Sequence, residues 1–460
     1  MTTQDYDLIV IGAGGAGSTA ATTAAAKYGA RVALIERDKL GGTCLNYGCD
    51  PTKTLLHTAQ VLYQAQHAAE LGVRIPIVEF DWPAVQAHVQ QVLTRIRGGT
   101  MEEGAADLKR QGVDVIWGEA RFVSAHEVLV ASQVYRAPRI IIAAGTDAFI
   151  PEIEGLREAG FITNKEAVSL PKLPKRLTVV GAGPIGLEFA QLFHRFGVQV
   201  TVLQRAGVPL DREDRELAET LCALLAAEGI RIEIASEMRC GEHDAVGKRI
   251  YIQHSGRAVE TLVVDEILVA LGRRVALDAL QLSVTGVQVT DGRIASDATL
   301  RTHVPHIWAA GDVTSVYQFT HVASAQGELA AHNAFSNHPQ PFDDRVIPWV
   351  TYTDPELARA GQTEEQLRAD GIAYRVGRVR FNQMDRALAT NQTAGMVKML
   401  ADADGHILGT HILGANAGDL IAPAIFAMRT NQTAAALAET ILPYPTMAEA
   451  VRWTADQLKD

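Results

Sequence analysis

Cysteine is scarce: the 460 residues carry four, Cys44, Cys49, Cys222 and Cys240. So few thiols exclude the disulfide framework of a small secreted protein. Positive charge is short as well, and 42 Lys and Arg against 53 Asp and Glu leave a formal net charge of −11. That balance speaks against a nucleic-acid surface. No polybasic stretch is there to hold an anionic membrane. Runs of about 20 apolar residues are missing, so no membrane span is expected. The opening "MTTQDYDLIVIGAGG" goes straight into an apolar strand with no basic segment before it. No signal peptide is expected, and a cytoplasmic location follows as the default.

What is present is apolar material in quantity. The composition is 47% hydrophobic and 21% charged, typical of a soluble globular protein. The length suits roughly three domains of about 150 residues. "YDLIVIG" (Tyr6 to Gly12) reads as a parallel strand covered on both faces. An Ala-rich helix follows from about Ala16 to Tyr28, then a second strand, "ARVALIE", from Ala30 to Glu36. The same strand–turn–helix–strand pattern returns from Arg176 to Arg205. Two such units predict an α/β protein with two Rossmann-like dinucleotide-binding domains. "LPKLPK" (Leu170 to Lys175) reads as a linker. Beyond Phe342, "GMVKML" and "HILGTHIL" read as strands, with helices at about 417–429 and 446–458. This predicts a separate C-terminal α+β domain.

Each unit carries a glycine fingerprint. In the first, Gly12 permits the tight turn, Gly14 lets the backbone approach a pyrophosphate, and Gly17 allows close helix–strand packing. Glu36 ends the second strand, where a carboxylate accepts hydrogen bonds from an adenosine ribose. The second fingerprint is Gly181, Gly183 and Gly186. Its outer strand ends in Gln204-Arg205 rather than in an acid, and Arg212 follows closely. A missing acid with arginines alongside suits a 2′-phosphate, so NADPH is expected over NADH. The alternative is that both arginines are ordinary solvated charges.

Cys44 and Cys49 have four residues between them in "GGTCLNYGCDPTK". Pro51 suits the first turn of a helix that continues with Leu55, Ala59 and Leu62 on one face. Cys49 therefore sits near a helix N-terminus, which favours the thiolate. A metal site would need further ligands, and only His57 is near. That histidine, standing alone, reads as a helix-surface or packing residue rather than a ligand.

"GGTCLNYGCDPTK" resembles the redox-disulfide segment of the class I pyridine-nucleotide disulfide oxidoreductases. That family includes dihydrolipoamide dehydrogenase, glutathione reductase and mercuric reductase. The resemblance spans essentially the whole chain: "RIIIAAGTDAFIP", "EILVALGRR", "IWAAGDVT", "FTHVASAQGELAA", "TYTDPELARAG" and "DRALAT" all match family segments. It implies an FAD-binding domain over 1–148 and 272–342, an NAD(P)-binding domain over 149–271, and a dimerisation domain over 343–460. It implies FAD held by the first fingerprint with Glu36, Gly42, Thr43, Gly145 and Asp312. Arg205 would join the second fingerprint in holding NADPH or NADH. Electrons would pass from reduced nicotinamide through FAD to a Cys44–Cys49 disulfide. Cys49 would be the sulfur beside the flavin and Cys44 the one that meets substrate. Lys53 and Glu188 would form an ion pair beside the flavin, contributed by two domains. A homodimer is implied, with Tyr444 and Glu449 completing the partner's site.

The match departs from its disulfide-reducing members at Tyr444, where they carry a histidine. A phenol has a pKa of about 10 against about 6.5 for imidazole, and so is a poor base near neutral pH. Mercuric reductase has tyrosine at this place. A soft Hg(II) ion bound between the two sulfurs, with Cys44 and Cys49 as its ligands, needs no proton shuttle. The expectation is a mercuric reductase-like enzyme. The alternatives are a dihydrolipoamide dehydrogenase-like or quinone-type reductase and, in another class, a flavin redox sensor. Mercuric reductases usually end in a cysteine pair, whereas no cysteine follows Cys240 here. "PTKTLLH" and "YQFTHVA" also resemble relatives linked to reactive-chlorine or copper defence. Asp50 replaces an apolar residue beside Cys49. It either raises that thiol's pKa or faces the helix's N-terminal amides. Cys222 and Cys240 read as structural, and His321 and Tyr352 as residues near the site without an assigned role.

Overall fold

The computed structural model describes residues 3–244, 247–275, 277–314 and 316–459. It divides into two compact units. The first comprises Met1–Thr54, Pro83–Phe149 and Gly272–Asp343; the second comprises Leu55–Trp82, Ile150–Leu271 and Asp344–Asp460.

The first unit is built on a five-stranded parallel sheet. Its strand order is Ile307–Ala309, Ile140–Ile142, Leu8–Ile11, Val32–Glu36, Val113–Trp117. Leu8 to Ile11 are all buried, as a near-continuous apolar run requires. Leu8 and Val10 pack towards helix Gly15–Tyr28, Ile9 and Ile11 towards a second layer containing Phe122 and Val128. Each such Leu or Ile contributes about 1.5–3 kcal/mol on burial. Helix Gly15–Tyr28 lies against helix Thr320–Phe335 through a seam of small residues, Ala16, Ala20 and Ala24 meeting Ala323, Ala330 and Ala331. A Cβ at Gly327 would come 2.1 Å from the Ala16 carbonyl oxygen. Only glycine permits that approach.

The second unit holds a four-stranded parallel sheet ordered Arg231–Ile234, Gln199–Gln204, Arg176–Val180, Glu266–Val269. Helix Pro184–Arg195 follows the second fingerprint. The C-terminal residues form a five-stranded antiparallel sheet ordered Pro348–Thr351, Glu356–Gly361, Ile407–Gly414, Met396–Ala401, Arg375–Arg380. Its helices differ from the sequence pattern in two places. The helix expected over 417–429 is two, Ala417–Leu420 and Ala422–Arg429. Pro423 cannot donate into a continuing helix and instead opens the second one. The last helix, Glu449–Asp456, starts later than Thr446. The Thr446 amide instead donates to the Glu449 carboxylate at 3.2 Å, in the turn ahead of the helix that Glu449 begins. Among the described residues, no helix is long and apolar enough to cross a membrane.

Candidate redox and dinucleotide sites

The cysteine segment is not a plain loop. Cys44 lies in a short helix, Gly42–Tyr47, and Gly48 breaks it before helix Cys49–His67 begins. Cys49 is thus the first residue of a long helix, where backbone amides favour negative charge. Both thiols are free and half-buried. The hydrogen bond from Cys44, above all, holds the Cys49 thiol well below its ordinary range; the Thr320 hydroxyl and the Lys53 charge act the same way, against burial and Asp50. Cys44 is pushed upward by that hydrogen bond, by burial and by the charge on Cys49. The pair is therefore divided into a thiolate at Cys49 and a proton-bearing thiol at Cys44.

Asp50 resolves in favour of the first of its two readings. Burial raises its own carboxyl, the reverse of what helix amides do, and its charge raises Cys49. Lys53, one turn along the helix, opposes it. Thr320 places its hydroxyl oxygen 3.5 Å from the Cys49 sulfur. Thr320 is the first residue of helix Thr320–Phe335, and nothing in its own sequence neighbourhood marks it as a thiol partner.

The first fingerprint folds as its glycines predict. Gly12 has φ +100°, and a Cβ there would meet the Ala143 carbonyl oxygen at 2.4 Å. At Gly17 a Cβ would lie 1.8 Å from the Gly12 oxygen. Gly42, at φ +61°, brings its backbone so near Gly14 that a Cβ would stand 2.7 Å from the Gly14 Cα. This leaves a cradle walled by backbone at the start of helix Gly15–Tyr28, a fit for a dinucleotide pyrophosphate. Glu36 is buried and accepts from the amides of Ala13 at 2.8 Å and Asp38 at 2.7 Å. Gly145 has φ +68°, which favours glycine at that turn. Asp312 accepts from the Thr146 hydroxyl at 2.8 Å. Arg273 joins this network, donating to Thr146 Oγ1 at 2.7 Å and to Thr43 Oγ1 at 3.2 Å. Arg273 was not among the residues singled out from the sequence, because its partners lie more than a hundred positions away.

In the second unit, Gly181 and Gly186 are confined as Gly12 and Gly17 are: added Cβ atoms would meet the Ala270 oxygen at 2.5 Å and the Gly181 oxygen at 1.9 Å. Gly183 faces open space. Gln204 accepts from the Ala182 amide at 3.1 Å. Arg205 and Arg212 are exposed. Glu188 is buried on helix Pro184–Arg195 and accepts from the Tyr352 amide at 2.8 Å. Gln191 and Arg195 on the same face hold Asp354, at 2.7 and 2.8 Å. Lys53 belongs to the first unit and Glu188 to the second. His57 is exposed on its helix. Tyr444 is 69% exposed and donates its hydroxyl to Asp385 at 2.5 Å. Its phenol pKa is raised, first by that hydrogen bond and then by the Asp385 charge. Glu449 is buried.

Comparison with known proteins agrees with this geometry. Residues 6–327 match the pyridine nucleotide-disulphide oxidoreductase family and residues 347–455 its dimerisation domain. The mercuric reductase of Bacillus cereus is 35% identical over 450 residues, 97% of this chain and 70% of that one. The dihydrolipoyl dehydrogenase of Bacillus subtilis is 34% identical over 449 residues, 96% of each. Among solved structures, the HOCl-induced flavoprotein disulfide reductase from Escherichia coli superposes with a TM-score of 0.87 at 30% identity, covering 99% of this chain and all of that one. Its Cu(II) complex superposes with a TM-score of 0.88. The chain belongs to the class I pyridine nucleotide-disulfide oxidoreductases, flavoprotein oxidoreductases that use FAD and NAD(P)H.

Proposed function

We propose that this protein is an NADPH-dependent flavoprotein that reduces a soft metal ion, Hg(II) in the first place, at Cys44 and Cys49. The observation that carries this reading is Tyr444. Its phenol is held protonated by Asp385, so it supplies no base for thiol–disulfide exchange. A metal ion needs none, because thiolates bind it directly. Mercuric reductases among the relatives, and a Cu(II) complex among the structural neighbours, support a metal acceptor. The dihydrolipoyl dehydrogenases are as similar in sequence, and Tyr444 is the residue that weighs against their chemistry. A quinone acceptor, or a sensor that signals through Cys44–Cys49 without turnover, is the remaining reading.

FAD, when bound, would supply the two-electron carrier between reduced nicotinamide and the disulfide. The chain's own residues do the rest. Cys49 rests as the thiolate, steadied by Thr320 and Lys53. Cys44 keeps the proton until the metal displaces it. Overall, NADPH and Hg(II) become NADP+, one proton and Hg(0). FAD belongs to segments 1–148 and 272–342, held by Gly12, Gly14, Gly17, Glu36, Gly42, Thr43, Gly145 and Asp312. NADPH belongs to segment 149–271, held by Gly181, Gly183, Gly186 and Arg205. Residues 343–460 form the dimerisation segment. Phe426, Ile441 and Tyr444 there are 68%, 96% and 69% exposed. Such apolar exposure supports a second copy of the chain, whose site Tyr444 and Glu449 complete.

The test is NADPH consumption by the FAD-loaded protein with Hg(II) in excess thiol. Turnover that vanishes in Cys49→Ser supports the proposal. Flavin reduction without Hg(II)-dependent turnover would discard the metal and leave quinones and small disulfides.

A further inference from the structure

The segment joining strand Gln199–Gln204 to helix Arg215–Glu228 is fixed from two sides. On the fingerprint side, the Leu210 amide donates to the Ala182 carbonyl at 3.2 Å, and the Gln204 side chain donates to the Val208 carbonyl at 3.1 Å. On the other side, two consecutive residues reach the C-terminal sheet. Glu213 accepts from the Trp349 indole N–H at 2.5 Å. Asp214 accepts twice from the Lys398 ammonium, at 3.0 and 2.8 Å. Lys398 is 1% exposed and also meets Glu216 and Glu364. Trp349 is itself held, with the Arg359 guanidinium 4.5 Å from its ring centroid. Arg205 and Arg212 stand near the two ends of this bracketed segment. Both are exposed and, among the described residues, neither makes an ion pair.

We propose that Trp349, acting through Glu213, is a positioning residue for dinucleotide choice: it holds residues 205–214 so that Arg205 and Arg212 meet a 2′-phosphate. This rests on the reading of NADPH as the electron donor. Glu213 is 6% exposed, and its Oε2 has no hydrogen-bond partner. The indole N–H is therefore the bond that keeps this carboxyl inside. Without it the side chain gains by turning to water, and Arg212, its immediate neighbour, moves with it. The ring of Trp349 is 144 residues from Arg205 in sequence, so no local pattern announces the link.

The experiment is calorimetric titration of the oxidised, FAD-loaded protein with NADP+ and with NAD+. Trp349→Phe removes the donor and keeps an aromatic ring. The Kd for NADP+ should rise about three- to tenfold, the range of one hydrogen bond, with the Kd for NAD+ unchanged. Glu213→Ala should give the same shift and tests the bond from its other end should Trp349→Phe not fold. The double variant should lose no more than either single one. Glu213→Gln keeps the acceptor and should stay near wild type. Equal weakening of both nucleotides, or additive losses, overturns the proposal. Arg205→Ala separates the two ideas. If wild type does not prefer NADP+ and Arg205→Ala changes nothing, the donor reading fails. If Arg205→Ala abolishes a preference that Trp349→Phe leaves intact, the anchor alone fails.

Discussion

The side-chain oxygen of Gln204 accepts the Ala182 amide at 3.1 Å, just as the carboxylate of Glu36 accepts the Ala13 amide at 2.8 Å. The two fingerprints thus close the same turn with the same bond, one through a charged group and one through a neutral group. Closing this turn needs only the acceptor. The charge is left to act on the nucleotide, where a carboxylate favours a ribose hydroxyl and repels a phosphate. Gln204→Glu should therefore keep the turn closed, though it gives up the bond to the Val208 carbonyl, and lower the NADPH-to-NADH preference about tenfold, near 1.4 kcal/mol. Flavin reduction rates at varied NADPH and NADH read this directly. An unchanged ratio would place the selection elsewhere in the 205–214 segment.

Both fingerprints were legible in the sequence because glycine's role there is local: a positive φ and a missing Cβ are properties of single positions. The cysteine pair was legible for the same reason. Its environment was not. Thr320 stands 271 positions from Cys49, and Arg273 stands 230 from Thr43. Such partners are set by which strands neighbour one another in the sheets. The same limit applies to Glu213, an acid in a loop until Trp349 and burial surround it. The broken helix at Pro423 was a local feature, hidden by an apolar pattern that continued across it.

The Cys49 thiolate should be measurable as an alkylation rate against pH in the two-electron-reduced protein. Cys49 should titrate below the ordinary thiol value of about 8.5. Thr320→Val removes a contact that lowers the thiol's pKa and should move the midpoint up. Asp50→Asn removes a charge that raises it and should move the midpoint down. Cys44→Ala, which deletes the largest stabilising contact, should move it up furthest. Shifts in the opposite order would mean that Cys44, rather than Cys49, carries the charge.

Tyr444→His puts an imidazole of pKa about 6.5 where the phenol stands. If the missing base is what limits disulfide chemistry, turnover with dihydrolipoamide or oxidised glutathione should rise at least about tenfold, against the 10²–10⁴-fold typical of a placed general base. Hg(II)-dependent turnover should not rise with it. A variant that gains nothing on disulfides would show that their exclusion lies in access to Cys44 instead.

Burial pushes the Glu213 carboxyl up to about 7; the charge of Asp214 adds to the rise, while the Trp349 N–H, Arg359 and Arg212 oppose it. The unfolded chain releases that proton near pH 4.3. Between those values the folded protein binds a proton that the unfolded chain has lost. Stability from this group is thus complete below about pH 4 and falls until the pH passes about 7. The loss amounts to roughly 3–4 kcal/mol at about 1.36 kcal/mol per unit. Glu213→Gln cannot titrate, yet keeps the acceptor for Trp349. Its Tm relative to wild type should therefore climb from pH 5 to pH 8. Parallel Tm curves over that range would mean that Glu213 is ionised in the folded protein throughout, and that its partners outweigh its burial.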